Sequence, residues 1–211
     1  MPVVTRITEQ KRRKNRRSVF LDGTYAFSCN VNVIARFRLR EGMELSAEQI
    51  RQIEQGELRQ EAFDDAMRYL QSRLHSRKEL QTKLERRGHS QDIITDVLED
   101  LQRLGYVDDE RYARTRAQAS AEYRHHGRRR AYLDLVKAGI APAVADRALD
   151  AVYGAHDSLQ AARDLAAKQA PRLARLDPAT ARRRLAGMLQ RRGFDYEDVK
   201  TVIDEVVKGE W

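Results

Sequence analysis

The feature that most constrains the fold is an internal repeat marked by three glycines. Gly88, Gly139 and Gly193 stand 51 and 54 residues apart, and apolar residues recur eight and four positions before each glycine and six, ten and thirteen positions after it. These positions hold Leu80, Leu84, Ile94, Leu98 and Leu101 in the first segment, Ala131, Leu135, Ala145, Leu149 and Val152 in the second, and Leu185, Leu189, Val199, Ile203 and Val206 in the third. Such spacing predicts two amphipathic helices per segment whose apolar stripes face a shared core.

Start and stop signals agree with this pattern. Each glycine is expected to end the first helix of its pair in the left-handed conformation, which glycine adopts without steric cost. The helix starts are indicated by Ser76 with Glu79, which form a capping-box pattern, by Ser90, by Pro142, and by Asp177 followed by Pro178. A further helix is predicted before each pair, at residues 61–74, 109–123 and 158–168.

The fold class predicted from this repeat is mainly α, with three tandem three-helix repeats that form an elongated curved array. A unit of about 50 residues buries too little apolar surface alone, so neighbouring units should pack together. The alternative is an ordinary helical bundle with chance similarity, and five shared offsets favour the repeat. The predicted divisions are an N-terminal extension (1–45), a linking helix (46–60) and repeats at 61–107, 108–155 and 156–211.

The N-terminal extension is predicted to be β-rich. Residues 3–8 are β-branched and partly alternating, and Asp22-Gly23 between two apolar runs predicts a hairpin. The segment from Lys11 to Arg17 is expected in a connection or at a strand edge. Ser46, with Gln49 three residues on, should begin a helix that runs to about Leu58.

Positive charge is concentrated in this extension. The net charge is +8, and residues 1–40 hold ten Lys and Arg against two acids, so the other 171 residues are neutral overall. Clustered charge of one sign suggests a polyanionic partner, and a solvated, self-repelling tail is the alternative. The candidate binding residues here are Lys11, Arg12, Arg13, Lys14, Arg16 and Arg17.

Basic clusters also recur in the repeats, nine to eleven residues before each glycine. They are Arg77-Lys78, Arg128-Arg129-Arg130 and Arg182-Arg183-Arg184. Each falls at or near a predicted helix start, where the helix dipole already favours anions, so the clusters are candidate sites for phosphate or an acidic protein face. Ion pairing with neighbouring acids is the alternative for any single cluster.

The sequence holds few signs of catalysis. It has no phosphate-binding loop motif, its histidines lack metal-ligand spacing, and Asp108-Asp109-Glu110 is expected to cap the following helix. Neither a cofactor nor a metal is therefore expected, and an enzyme is the least favoured hypothesis. No apolar stretch is long enough to span a membrane, no secretory signal is apparent, and Cys29 is the single cysteine, so a reduced, cytoplasmic, monomeric protein is expected.

Two segments resemble the signature of the RecX family. The first is an Ala and a Leu on one helix, then Arg, Ser, Glu-Leu, Leu and a basic residue before Gly, and it is similar to residues 66–88 here, with Arg87-Gly88 where the family often has Lys-Gly. The second is a Gly-aromatic-aliphatic-Asp-Asp segment, similar to residues 105–109. The resemblance is close over residues 61–155 and moderate over the third repeat. The N-terminal hairpin resembles extensions found in only some members.

The resemblance implies a regulatory, non-enzymatic role in DNA repair, homologous recombination and the SOS response. RecX proteins bind along the groove of the RecA–DNA filament and mostly lower its strand exchange, ATP hydrolysis and co-protease activity. The partner that the resemblance implies is therefore the RecA filament, whereas DNA is the partner indicated by the positive charge. A stand-alone nucleic-acid-binding protein that acts without RecA is the second hypothesis, and it is motivated by the basic N-terminal residues.

Overall fold

The computed structural model describes residues 1–11, 13–154 and 157–208, with backbone alone for residues 13 and 206–208. The strands are β1 (Val4–Gln10), β2 (Arg13–Leu21) and β3 (Thr24–Asn30). The helices are α1 (Val31–Arg36), α2 (Ala47–Ser72), α3 (Arg77–Arg86), α4 (Gln91–Arg103), α5 (Asp109–Glu122), α6 (Arg128–Lys137), α7 (Pro142–Tyr153), α8 (Ser158–Leu173), α9 (Pro178–Arg192) and α10 (Tyr196–Lys208). The predicted class, mainly α with a small N-terminal sheet, is confirmed.

The N-terminal sheet is antiparallel, in the order β1-β2-β3. Asp22 and Gly23 form the predicted hairpin turn, with φ of +48° and +83°, the combination that a tight turn between twisted strands requires. The expected place of Lys11–Arg17 was wrong from residue 13 onward. Residues 13–17 are the first residues of β2. This strand is the central one, because β1 pairs with one of its edges and β3 with the other, and Glu9 of β1 lies opposite Arg17.

This sheet is part of a folded core. Val4, Val19, Cys29, Leu45 and Ile53 are buried in one cluster that joins the strands to α2. Burial raises the pKa of the Cys29 thiol to about 12, which keeps it neutral. The short helix α1, which the sequence did not predict, adds Val33 to the same cluster.

The helix that begins after Ser46 is longer than predicted. The capping box is confirmed, since Gln49 N–H donates to Ser46 Oγ at 3.1 Å and Ser46 N–H donates to Gln49 Oε1 at 2.8 Å. The predicted end near Leu58 was wrong, because α2 continues to Ser72. A Cβ at Gly56, within α2, would lie 2.7 Å from the ring of Phe37. The missing side chain therefore lets this ring pack closely against the backbone of α2.

The repeat around the three glycines is confirmed. All three lie just after a helix in the left-handed region, with φ of +88°, +84° and +83° in chain order. The positions eight and four residues before each glycine and six residues after it are all buried. The outer positions fit less closely, since Val152 and Ile203 are half-buried and the side chain of Val206 lies outside the described residues.

The chain divides into two compact units. The first comprises Met1–Leu74 and Leu80–Tyr106, and the second comprises His75–Glu79 and the chain from Val107 onward. The five-part division at 45, 60, 107 and 155 stays a prediction. Its last boundary lies outside the described residues, because residues 155 and 156 are not described.

Candidate interaction surface of the helical repeats

The middle helices of the three repeats are α3, α6 and α9, and they are linked end to end by contacts that lie in the second unit. Ser76, just before α3, donates through Oγ to the carbonyl of Ala138 at 2.6 Å. Gly127, just before α6, donates through its N–H to the carbonyl of Arg192 at 2.8 Å. Each accepting carbonyl belongs to the residue before one of the three repeat glycines (Gly88, Gly139 and Gly193), called the landmark glycines below. The C-terminal end of one middle helix therefore meets the N-terminal end of the middle helix before it, which pairs a partly negative helix end with a partly positive one.

Two of these three glycines, Gly139 and Gly193, allow this close approach. A Cβ at Gly139 would lie 2.7 Å from Lys78 Cγ, and a Cβ at Gly193 would lie 2.5 Å from Arg130 Cβ. Neither position has room for a side chain. Gly139 and Gly193 therefore have two roles: each ends its helix in the left-handed conformation, and each lies against the start of the preceding middle helix.

The end-to-end contacts change what the first two basic clusters can do. At α3, Arg77 N–H donates to Asp109 Oδ1 at 2.8 Å and Glu79 N–H donates to Ser76 Oγ at 3.1 Å. At α6, the carbonyl of Arg192 lies at the helix start. Protein oxygens therefore already lie where an anion would meet these helix ends. The clusters can contribute side chains to a partner.

The third cluster lies deeper in its helix than expected. Ala181 matches Ser76 and Gly127 in the repeat, twelve residues before the glycine, but α9 begins one turn earlier. Asp177 caps it by accepting from Thr180 N–H at 2.9 Å, and this hydrogen bond lowers the pKa of Asp177. The third cluster, Arg182–Arg184, forms the fifth to seventh residues of α9, and all three are exposed without an ion pair to any described residue.

Only two of the three arginines in the second basic cluster, Arg128-Arg129-Arg130, form ion pairs with described residues. Arg128 Nη2 lies 3.1 Å from Asp146 Oδ1 and 2.7 Å from Asp150 Oδ1, and these carboxylates raise the pKa of Arg128. Arg130 lies 3.2 Å from Asp134. Arg129 is exposed and makes no ion pair in the described part of the chain, so it is the side chain of this cluster most available to a partner.

Two of the N-terminal cations have internal partners. Arg16 Nη1 lies 2.8 Å from both Glu57 and Glu61 on α2. Burial raises the pKa of Glu57, whose Oε2 also accepts from Asn30 N–H at 2.6 Å. Arg17 lies 3.8 Å from Glu9. Lys11 and Lys14 are exposed, Arg12 lies outside the described residues, and the Arg13 side chain is not described.

A polar cluster around Asp65 was not found from the sequence. Asp65, on α2, accepts from Arg87 Nε and Nη2 at 3.0 Å each, from Arg68 at 2.7 Å and from His89 at 3.0 Å. The hydrogen bonds from Arg87 hold the pKa of Asp65 well below its usual range. The basic residue before the landmark glycine therefore ties the end of α3 to α2. The sequence offered no signal, because 22 residues separate the partners.

The acidic segment Asp108-Asp109-Glu110, at the start of α5, has the predicted capping role. Asp108 Oδ1 accepts from the N–H groups of Glu110 at 2.9 Å and Arg111 at 3.0 Å. Asp109 instead accepts from Arg77 N–H at the start of α3, and burial raises its pKa. Among the described residues no three His, Cys, Asp or Glu side chains are placed to hold a metal ion. None of the described helices is long and apolar enough to cross a membrane.

Comparisons with known proteins agree along nearly the whole chain. Family models match at residues 2–46 (regulatory protein RecX N-terminal domain), 62–101 (RecX, first three-helix domain) and 156–203 (RecX, third three-helix domain). The N-terminal sheet thus matches the family as well, beyond the partial resemblance expected from the sequence.

Individual relatives extend this agreement. The chain is 31% identical over 208 residues to the regulatory protein RecX of Lactobacillus johnsonii, covering 98% of this chain and 75% of the relative. It is 29% identical over 205 residues to the RecX protein of Bacillus licheniformis, covering 97% and 78%. A crystal structure of regulatory protein RecX shares the fold, with a TM-score of 0.78, 24% identity and coverage of 97% of this chain and 100% of that one.

Proposed function

This chain belongs to the RecX family of regulatory proteins, and we propose that it binds the RecA–DNA filament and restrains its recombinase, ATPase and co-protease activities. The observation that carries the proposal is the match over 98% of the chain to a relative named a regulatory protein. Since the relatives are named as regulators, the proposed activity is binding rather than catalysis.

The exposed arginines of the repeats support this proposal. Arg129 and Arg182–Arg184 present guanidinium groups without an ion pair to any described residue. A filament of protein on DNA offers phosphates and acidic side chains, and guanidinium groups bind both through paired hydrogen bonds. We therefore propose these residues as filament contacts, with Arg77, Lys78, Arg128 and Arg130 beside them.

The test is the DNA-dependent ATPase of RecA on single-stranded DNA. The protein should lower ATP hydrolysis at substoichiometric or near-equal ratios to RecA. The double variant Arg182→Glu/Arg183→Glu should weaken this inhibition. The matched variant Arg172→Glu/Arg175→Glu changes two exposed arginines outside the clusters and should leave it unchanged. No effect of the unaltered protein at any ratio would exclude the proposal.

A stand-alone nucleic-acid-binding protein is the second candidate. It is favoured by the charge of +8 over residues 1–40, where Lys11 and Lys14 remain exposed. Deleting this segment is not a clean test, because its strands share a core with α2. Charge reversal at Lys11 and Lys14 keeps the core intact. Salt-dependent DNA binding without RecA, abolished in this variant and accompanied by no effect on the ATPase, would favour the second candidate.

A further inference from the structure

We propose that an exposed face of α6, together with α9, docks a partner protein segment in which acidic side chains flank an apolar one. Arg129, Leu133 and Val136 of α6 and Arg191 of α9 define this face, called the α6–α9 surface below. The proposal goes beyond filament regulation, because it names the chemistry of a protein contact. It can be tested without RecA.

The repeat itself shows that two residues of this surface are unusual. Leu133 corresponds to Thr82 in α3 and to Gly187 in α9, six residues before each glycine. Val136 occupies the position held by Glu85 in α3 and by Gln190 in α9. The buried positions of the middle helices are apolar in all three repeats, whereas these two positions are aliphatic in α6 alone.

Leu133 and Val136 are also exposed, by 54% and 39%. Their neighbours Ala131 and Leu135 already supply the buried face of α6. The fold of a middle helix does not need an aliphatic side chain at either position, since α3 and α9 form with polar residues or glycine there. Residues three apart are neighbours on a helix surface, and contiguous exposed apolar side chains, unlike scattered single ones, mark contact surfaces.

A depression lies beside Leu133. A cavity of about 370 Å³ lies between α6 and α9, and its lining includes Arg129, Leu133, Gly187 and Arg191. A Cβ at Gly187 would be 3.1 Å from Arg191 Nη1, so the guanidinium lies across bare helix backbone. An apolar side chain from a partner could enter here and cover Leu133.

The charge at the edge of this depression is positive. Arg129 and Arg191 are both exposed, and neither makes an ion pair with any residue that the structure describes. The lining of the cavity contains no acidic side chain among the described residues. Carboxylates of a partner would therefore find two guanidinium groups beside the apolar contact. Arginine is enriched at protein interfaces, whose buried centres are more apolar than the rest of the protein surface.

The same surface suits a nucleic acid less well. A single strand binds by phosphate contacts together with stacking of its bases on aromatic side chains. The described lining of the cavity holds no aromatic side chain, and Leu133 and Val136 would be left without an apolar partner. An acidic protein segment uses both the arginines and the aliphatic side chains.

The test is a titration of the isotope-labelled full chain, followed by its backbone amide resonances. The probes are a short synthetic peptide of Asp and Glu with central leucines, the same peptide with serines in place of the leucines, and an oligothymidylate. The leucine peptide should shift the amides of residues 129–137 and 187–193. The serine peptide should bind about tenfold more weakly, as expected for one apolar side chain left unburied.

Two variants with matched chemistry complete the test. Leu133→Asp should abolish binding of the leucine peptide. Leu104→Asp changes another exposed leucine, 57% exposed at the end of α4, and should leave binding unchanged. Circular dichroism would establish that both variants are folded. Equally weakened binding in the two variants would contradict the proposal.

Three other results would overturn it. Absence of localised shifts at millimolar peptide would show that the surface does not dock such a segment. Equal binding of the leucine and serine peptides would show that charge alone acts. Tighter binding of the oligothymidylate to the same amides, unaffected by Leu133→Asp, would assign the surface to nucleic acid.

Discussion

Replacing Gly193 with alanine should destabilise the protein more than the same replacement at Gly88. Both glycines follow a middle helix, with φ of +83° and +88°. A Cβ at Gly88 would meet nothing within 4 Å, whereas a Cβ at Gly193 would lie 2.5 Å from Arg130 Cβ and 2.9 Å from its Cα. The pair separates the effect of backbone conformation from the effect of the end-to-end contact.

The expected magnitudes follow from these two effects. An alanine in the left-handed region costs about 1–2 kcal/mol, and this applies at both positions. Overpacking against the backbone at the start of α6 adds roughly 1–3 kcal/mol at Gly193. Displacing the Arg192 carbonyl from Gly127 N–H, now 2.8 Å away, removes a hydrogen bond worth about 1 kcal/mol. We expect about 1–2 kcal/mol for Gly88→Ala and roughly 3–6 kcal/mol for Gly193→Ala.

Urea unfolding followed by circular dichroism measures the total destabilisation of each variant. Amide hydrogen exchange adds a local readout, because Gly127 N–H is protected by the contact itself and should exchange faster in Gly193→Ala. Its exchange should be unchanged in Gly88→Ala. Equal destabilisation of the two variants, with Gly127 still protected in both, would refute the end-to-end contact as a source of stability.

Three further predictions concern single contacts. The pKa of Asp65 is depressed in the folded state. The ionised carboxylate therefore stabilises the fold fully above the unfolded pKa near 4, and this stabilisation disappears as pH falls through the folded pKa. Asp65→Asn should accordingly flatten the acid limb of a plot of unfolding free energy against pH. Ser76→Ala should lower the unfolding free energy in urea by about 1–2 kcal/mol, since Ser76 Oγ accepts from Glu79 N–H and donates to the Ala138 carbonyl. Ser90→Ala, at a helix start without a side-chain cap, should lower it by only about a few tenths of a kcal/mol. Equal costs would contradict this. If Lys11 and Lys14 neutralise DNA phosphates, reversing their charge should reduce the slope of log affinity against log salt by about 0.9 for each phosphate that is no longer neutralised, and an unchanged slope would place the DNA-binding residues elsewhere.

The sequence determined those parts of the fold that depend on a few neighbouring residues. Helical periodicity located the buried face of α3, α4, α6, α7 and α9, and the three landmark glycines marked where helices end. The Asp22-Gly23 turn and the Ser46–Gln49 capping box were predicted correctly for the same reason. Each of these features is decided within about one helical turn or one hairpin, where residue preferences are strongest.

Features that depend on distant partners were missed or misplaced. The sequence did not indicate that α2 continues past Leu58 or that Phe37 packs against Gly56. It also did not indicate that residues 13–17 belong to the central strand of the sheet, which lies between β1 and β3. The basic clusters were recognised from the sequence, but which cations have internal partners was not. Arg16 faces Glu57, which is distant in sequence, and Arg129 has no described ion partner although Arg128 and Arg130 do.

The three glycines show the division most clearly. The sequence alone placed each of them at a helix end, because only the local backbone conformation matters for that role. Tertiary structure decided that Gly139 and Gly193 also touch the start of another middle helix, whereas Gly88 faces open space. The reason is physical: a left-handed φ is a property of one residue, but close approach of two helix ends depends on how whole helices pack.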